Sequence, residues 1–293
     1  MALRERVLRL GPQGRLVGIV TEPTSRSPDL PVFLMLNAGV IHRVGPNRVY
    51  VSVARRLAAL GFTTFRFDVA GLGDSVARRD GLPYEDARIA DAQEVMDHLY
   101  QTVGVGGFVT LGLCSGADHA FRVALADERV VGCVLLDGYT YPTAQHDAEQ
   151  RRERLGEIRR RLFDLPAWKR VLTGRHPIWG VIRARVLRRK DLRMQFVMDT
   201  PPREEAETGI RRLVDRGARL FFIYTSRQAA HHASTVRAGE PFPPIDPSGA
   251  VRVTCMPDSD HEFTLLTRRQ ALLDAVGDWA ETVWPQAVLQ HRP

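Results

Sequence analysis

The feature that most constrains the fold is a cysteine flanked by glycines between a strand-like and a helix-like segment. Residues 108–111 form an apolar run that predicts a buried strand, and residues 117–126 predict a helix. Between them, Gly112 and Gly116 lie two positions before and after Cys114. Glycine at both positions removes the side-chain atoms that would clash in a sharp turn. The pattern is that of a nucleophile elbow, which projects one reactive side chain at the N-terminus of a helix.

Strand-like and helix-like segments alternate along most of the chain. The predicted strands are residues 7–10, 16–21, 31–36, 62–67, 108–111, 130–136, 219–224 and 251–256. The predicted helices are residues 49–60, 84–100, 117–126, 204–215 and 265–283. This alternation predicts an α/β fold with a mostly parallel sheet flanked by helices.

The alternation breaks after the sixth predicted strand. Residues 139–201 lack a strand pattern and predict a helical cap inserted over the carboxyl ends of the strands, leaving 1–138 and 202–293 as the core. The formal charge is +7, and residues 151–190 hold fourteen Arg or Lys against three acidic residues. The rest of the chain is therefore net negative, which is not the composition of a nucleic-acid-binding protein.

The three cysteines do not predict a disulfide framework. Cys133 and Cys255 lie in strand-like runs, where we expect small buried thiols. No Cys or His spacing predicts a metal site, and no cofactor is expected. No apolar run approaches the ~20 residues of a membrane span. The first residues lack the apolar core of a signal peptide, so a cytoplasmic location is expected.

Cys114 is the candidate nucleophile, the alternative being a buried structural cysteine. A thiol near a helix N-terminus and an imidazole is expected to be partly thiolate at neutral pH. Ser115 is a second candidate, but it lies one position off the register, so its side chain should point elsewhere. Its backbone N–H is better placed to stabilise an oxyanion. The second oxyanion donor is expected from the loop after the third strand, where Gly39 is favoured and Val40 comes next.

His261 is the candidate base, because it follows the last strand and can reach the elbow from there. His119, one turn into the elbow helix, is the alternative. The acid is harder to assign, because residues 224–232 after the seventh strand contain no carboxylate. Asp137, at the end of the sixth strand, is favoured over Asp258, Asp260 and a bare Cys–His dyad.

These motifs resemble those of the α/β-hydrolase superfamily, in its serine-aminopeptidase-like branch. Within that branch the chain is similar to hydrolases associated with the exosortase A system, and its cysteine nucleophile also resembles that of dienelactone hydrolases. The matching stretches are residues 37–39 with 43–46, 66–75, 112–117, 166–170 in the insert, and 260–263. The chain departs from the family pattern in lacking the acid after the seventh strand.

The residues favour an acyl-transfer enzyme, because a cysteine acyl-enzyme is a thioester that forms readily from a substrate thioester. The expected substrate is a small acyl compound, free or carried by CoA or a carrier protein, of the kind used in secondary metabolism. Release to water would make the protein a thioesterase or esterase, and release to another nucleophile an acyltransferase. Trp168 and Trp179 in the insert are expected to cover the pocket. A non-catalytic binding protein is the alternative function, and the oligomeric state stays open, a homodimer included.

Overall fold

The structure, a computed structural model, describes residues 3–24, 27–141 and 200–285. The described residues up to Tyr141 and from Pro201 onward belong to one compact unit. The predicted cap, residues 139–201, lies almost entirely outside the described residues. No helix of the described part of the chain is long and apolar enough to cross a membrane.

Eight strands form one sheet in the order β1-β2-β4-β3-β5-β6-β7-β8. The strands are β1 Arg4–Leu10, β2 Leu16–Glu22, β3 Val32–Leu36, β4 Thr64–Asp68, β5 Phe108–Leu113, β6 Val130–Leu136, β7 Arg219–Thr225 and β8 Val251–Met256. β2 pairs antiparallel with β1 and β4, and the pairs from β4 to β8 are parallel. The predicted α/β fold with a mostly parallel sheet is therefore confirmed.

Six helices accompany the sheet within the described residues. They are α1 Val49–Ala59, α2 Tyr84–Val103, α3 Ser115–Ala126, α4 Arg203–Asp215, α5 Ser226–Arg237 and α6 Leu266–Val283. One apolar core contains residues of α2, α3 and α4, and a second contains residues of α1 and α6. The helices thus cover two faces of the sheet, which is why β3, β4 and β5 are buried along their whole length.

Two features differ from the sequence prediction. Helix α5 was not predicted, because its buried residues are small or polar, Ala229, His231, Ser234 and Thr235, and give no apolar periodicity. Cys255 was expected to be buried, but it is exposed because β8 is the edge strand of the sheet. Cys133, on the interior strand β6, is fully buried.

β3 and β5 are parallel neighbours, with Val32 opposite Phe108 and Leu36 opposite Gly112. The order in which strands are added across the sheet changes direction at this pair. β4 lies on one side of this pair and β6 on the other. In open α/β sheets, ligands bind at the carboxyl ends of strands at such a switch point. The loops after β3 and β5 carry Gly39 and Cys114, so the fold places both at that position.

Candidate active site

Cys114 occupies the sharp turn between β5 and α3. Its backbone has φ 57° and ψ −126°, a conformation that side-chain-bearing residues rarely adopt. The Cys114 N–H donates to the Leu136 carbonyl at 2.8 Å, which fixes the turn to β6. A Cβ atom on Gly112 would lie 2.0 Å from the Gly116 carbonyl oxygen, and one on Gly116 would lie 2.7 Å from the Leu36 carbonyl oxygen. Both glycines are therefore required, and the Cys114 side chain stays partly exposed.

His261 lies in the loop between β8 and α6 and faces both Cys114 and Asp137. Its Nδ1 is 2.7 Å from Asp137 Oδ2. Since Nδ1 is occupied by Asp137, Nε2 is the nitrogen available to the thiol. Interaction first with Asp137 and then with Cys114 outweighs desolvation and raises the pKa of His261 to about 10. The ring is therefore poised to hold a proton beside the sulfur.

Asp137 is the acid that the structure brings to His261. It follows β6 with φ 47°, and its side chain is fully buried. The Thr225 N–H donates to Asp137 Oδ1 at 2.6 Å, and the Thr225 hydroxyl donates to Oδ2. In the family pattern the acid follows β7. Here Thr225, at the end of β7, instead donates hydrogen bonds to an acid that follows the neighbouring strand β6.

The other candidate acids do not contact His261. Asp260 Oδ1 accepts the backbone N–H groups of Glu262 and Thr264, so it stabilises the turn that carries the histidine. The Asp258 side chain is 73% exposed and lies 3.6 Å from Arg268. Their position beside His261 in the sequence therefore does not place them at the imidazole.

His119 is buried on another side of α3, where its Nδ1 lies 3.2 Å from Glu85 Oε2. Burial, followed by the charges of Arg88 and Arg122, lowers the pKa of His119 to about 3. A ring held neutral in this way accepts a proton poorly at neutral pH. The structure brings His261, and not His119, to the cysteine.

The structure brings together Gly39 and Ser115, the two residues predicted to supply the oxyanion donors. The Gly39 N–H donates to Ser115 Oγ at 2.8 Å, so the hydroxyl of Ser115 occupies the amide that was expected to bind an oxyanion. The Ser115 side chain thus points to the Gly39 loop, a contact that the sequence prediction did not include. Val40, the next residue, is 62% exposed. Trp168 and Trp179 lie outside the described residues.

Sequence reasoning missed a network that holds the Gly39 loop. The buried Asp68 carboxylate, at the end of β4, accepts the Arg43 N–H at 2.6 Å, the Asn37 amide at 3.3 Å and the Arg43 guanidinium. Asn37 Oδ1 in turn accepts the Val69 N–H at 3.0 Å. The available signal was the position of Asp68 directly after a strand and before the glycine-rich loop 71–75.

The described residues contain no group of three or more His, Cys, Asp or Glu that could hold a metal ion. The site consists of a thiol, an imidazole, a buried carboxylate and two backbone amides. Such a set can transfer a proton from the thiol to the imidazole and stabilise negative charge on a carbonyl oxygen. It is suited to nucleophilic attack on an acyl carbon.

A mostly parallel sheet with a sharp, glycine-flanked turn after β5 and a histidine after the last strand is the arrangement of an α/β hydrolase. The chain belongs to the α/β hydrolase fold family, whose model matches residues 32–228. No curated protein sequence matches the chain.

Solved structures share this fold. An α/β serine hydrolase without a lid from Xanthomonas campestris is 16% identical, with a TM-score of 0.54 and 96% of this chain and 94% of that chain covered. An esterase domain from a Rhodothermus marinus protein is 13% identical, with a TM-score of 0.54 and coverage of 96% and 99%. Proline iminopeptidase from Mycobacterium smegmatis is 19% identical, with a TM-score of 0.51 and coverage of 99% and 100%. At these identities the likeness concerns the fold.

Proposed function

We propose that this α/β hydrolase is an acyl-transfer enzyme that acts on thioesters or esters through a cysteine nucleophile. Cys114 attacks the acyl carbon, and His261 takes its proton and returns it to the leaving group. Asp137 orients the imidazole and balances its charge. The observation that carries the proposal is the 2.7 Å contact between Asp137 Oδ2 and His261 Nδ1, made by a ring whose pKa is raised by Asp137 and by Cys114.

The oxyanion is stabilised by the backbone N–H groups of Gly39 and Ser115. Because the Ser115 hydroxyl accepts from Gly39 in the free protein, the oxyanion displaces that hydroxyl when it forms. This exchange replaces a neutral acceptor by a charged one, and hydrogen bonds to charged acceptors are the stronger kind. The amide contact therefore strengthens as the carbonyl oxygen becomes negative, which is the requirement for catalysis.

Thioesters are the favoured substrates, because the enzyme-bound intermediate is itself a thioester and its formation is nearly isoenergetic. Residues 139–201 are proposed to form a cap that selects the acyl group, with Trp168 and Trp179 covering the pocket. The excess of arginine at 151–190 suits a phosphate-bearing CoA or an acidic carrier protein.

The test is turnover and trapping of an acyl-enzyme with acyl N-acetylcysteamine thioesters and p-nitrophenyl esters. The wild-type protein is expected to gain the mass of the acyl group on the peptide that contains Cys114. Cys114→Ala should lose both the adduct and turnover, whereas Ser115→Ala should retain them.

Cys255→Ala is the matched control, because Cys255 is an exposed free thiol outside the site. This variant should react as the wild type does. Full turnover by Cys114→Ala would contradict the proposed nucleophile. Absence of an adduct and of turnover with every thioester and ester would favour the non-catalytic binding protein.

A further inference from the structure

One buried carboxylate in the described part of the chain has no hydrogen-bond partner. Five aspartates are buried there: Asp68, Asp91, Asp118, Asp127 and Asp137. Four of them accept hydrogen bonds from arginine, histidine, threonine or backbone N–H groups. Asp118 is 5% exposed, and neither of its carboxylate oxygens is bonded. An unpaired buried carboxylate is costly when ionised, and a donor bound there would offset that cost.

Asp118 lies beside the proposed active site. It is on α3, one turn after Cys114, and its N–H donates to the Cys114 carbonyl. A Cβ atom on Gly138, the residue after Asp137, would lie 3.5 Å from Asp118 Oδ1. The carboxylate therefore faces the gap between the residues that follow the nucleophile and those that follow the acid.

A small cavity occupies this gap. It is lined by Asp118 and Gly138, and its accessible volume of about 10 Å³ has room for one group the size of a water molecule. The remaining walls are mostly apolar and include Phe121, Leu135, Ile210, Phe222 and Phe242. An apolar pocket with one acceptor of negative charge suits the end of an alkyl chain that carries a donor.

The charged neighbours leave Asp118 without a direct partner. Arg122 is the cation whose charge acts on Asp118; its Nε donates to the Tyr139 hydroxyl at 3.3 Å and lies 4.0 Å from Glu85 Oε2. Burial raises the pKa of Asp118 to about 7, with Arg122 lowering it and Glu85 raising it further. A bound cation would restore the ionised form at neutral pH.

We propose that Asp118 binds a primary ammonium group at the end of the acyl chain of the substrate. Two unpaired carboxylate oxygens need several donors, and a primary ammonium offers three in a volume close to that of water. The acyl carbon would lie at Cys114 while the amino group enters the Asp118 cavity. This inference rests on the proposed acyl-transfer function and specifies its substrate class as aminoacyl thioesters or esters.

The test compares pairs of N-acetylcysteamine thioesters that differ only in a terminal ammonium against a methyl group. Suitable pairs are glycyl with propanoyl, β-alanyl with butanoyl, and 6-aminohexanoyl with heptanoyl. We expect the wild type to prefer the amino member of at least one pair by about 10- to 100-fold in kcat/KM. Asp118→Asn, which keeps the shape of the side chain, should lose this preference and retain turnover of the neutral member within about threefold.

Glu85→Gln is the matched control, since it removes a nearby negative charge that does not line the cavity, and it should keep the preference. Equal kcat/KM within every pair, or a preference that survives in Asp118→Asn, would overturn the inference. Calorimetry with n-butylammonium chloride measures ammonium binding without turnover, so it distinguishes failure of the Asp118 site from failure of the proposed acyl-transfer function. If no thioester is turned over, binding that Asp118→Asn abolishes supports the site, and absence of binding to the wild type refutes it.

Discussion

Replacing Asp137 by asparagine removes one charge and preserves the shape of the side chain. Three donors surround the carboxylate: the Thr225 N–H at 2.6 Å, the Thr225 hydroxyl, and His261 Nδ1 at 2.7 Å. In Asp137→Asn the amide oxygen has to stay toward the Thr225 N–H, because a backbone amide only donates. The amide NH₂ group then faces His261 Nδ1. The imidazole must accept there and carry its proton on Nε2, toward Cys114, where it cannot take the proton of the thiol.

The size of the effect follows from the bond that is lost. A hydrogen bond involving a charged group contributes about 1.5–3 kcal/mol, and about 1.4 kcal/mol corresponds to a tenfold change. We therefore expect iodoacetamide to alkylate Cys114 about 10- to 100-fold more slowly at pH 7 in Asp137→Asn than in the wild type. The His261 side chain is 40% exposed, so solvent screening places the result toward the lower end of this range. The pKa of His261 should fall from about 10 toward the ordinary 6.5.

The assay is the pH dependence of alkylation, followed by mass spectrometry in a Cys255→Ala background so that the exposed thiol does not contribute. Nitrogen-15 NMR of His261 reports its protonation and tautomer directly. Asp258→Asn is the matched control, because it removes the same charge three residues from His261 without touching the ring. Wild-type alkylation rates and an unchanged NMR titration in Asp137→Asn would refute the assigned role of Asp137.

Four further outcomes are expected. Since the pKa of His261 is raised in the folded state, its contribution to stability is complete below pH 6.5 and is lost as the pH rises toward about 10; His261→Gln should lack this loss in thermal melts. Asp118→Asn should raise the Tm at pH 8, because it removes a buried charge that costs on the order of 4 kcal/mol. The gain in Tm should vanish near pH 4, where the wild-type carboxyl is protonated. Ser115→Ala frees the Gly39 amide, so kcat with thioesters should rise about 3- to 10-fold, and a decrease would show that the hydroxyl instead holds the loop. Gly112→Ala should fail to fold or lose more than about 4 kcal/mol of stability in urea melts, because its Cβ would overlap a carbonyl oxygen 2.0 Å away.

Much of the fold could be predicted because its signals are local. The apolar runs of the eight strands and the glycine spacing around Cys114 depend on burial and sterics over a few residues. Helix α5 could not be predicted in this way, since its buried side chains are small or polar. The position of β4 between β2 and β3 is equally absent from local patterns, because the order of strands depends on how the chain crosses the sheet.

The sequence by itself indicated that Cys114 lies on a sharp turn, because glycine at 112 and 116 removes the side-chain atoms that would clash there. It also determined which histidine follows the last strand. Only the tertiary structure decided which acid reaches that histidine. Asp137 lies 124 residues from His261, yet its carboxylate reaches the imidazole, because β6 and β7 are adjacent and the Thr225 N–H holds the carboxylate in place. Asp260, although next to His261 in the sequence, accepts a backbone N–H of its own turn. Closeness along the chain does not determine which carboxylate faces the imidazole. That is determined by the packing of strands that are distant in the sequence.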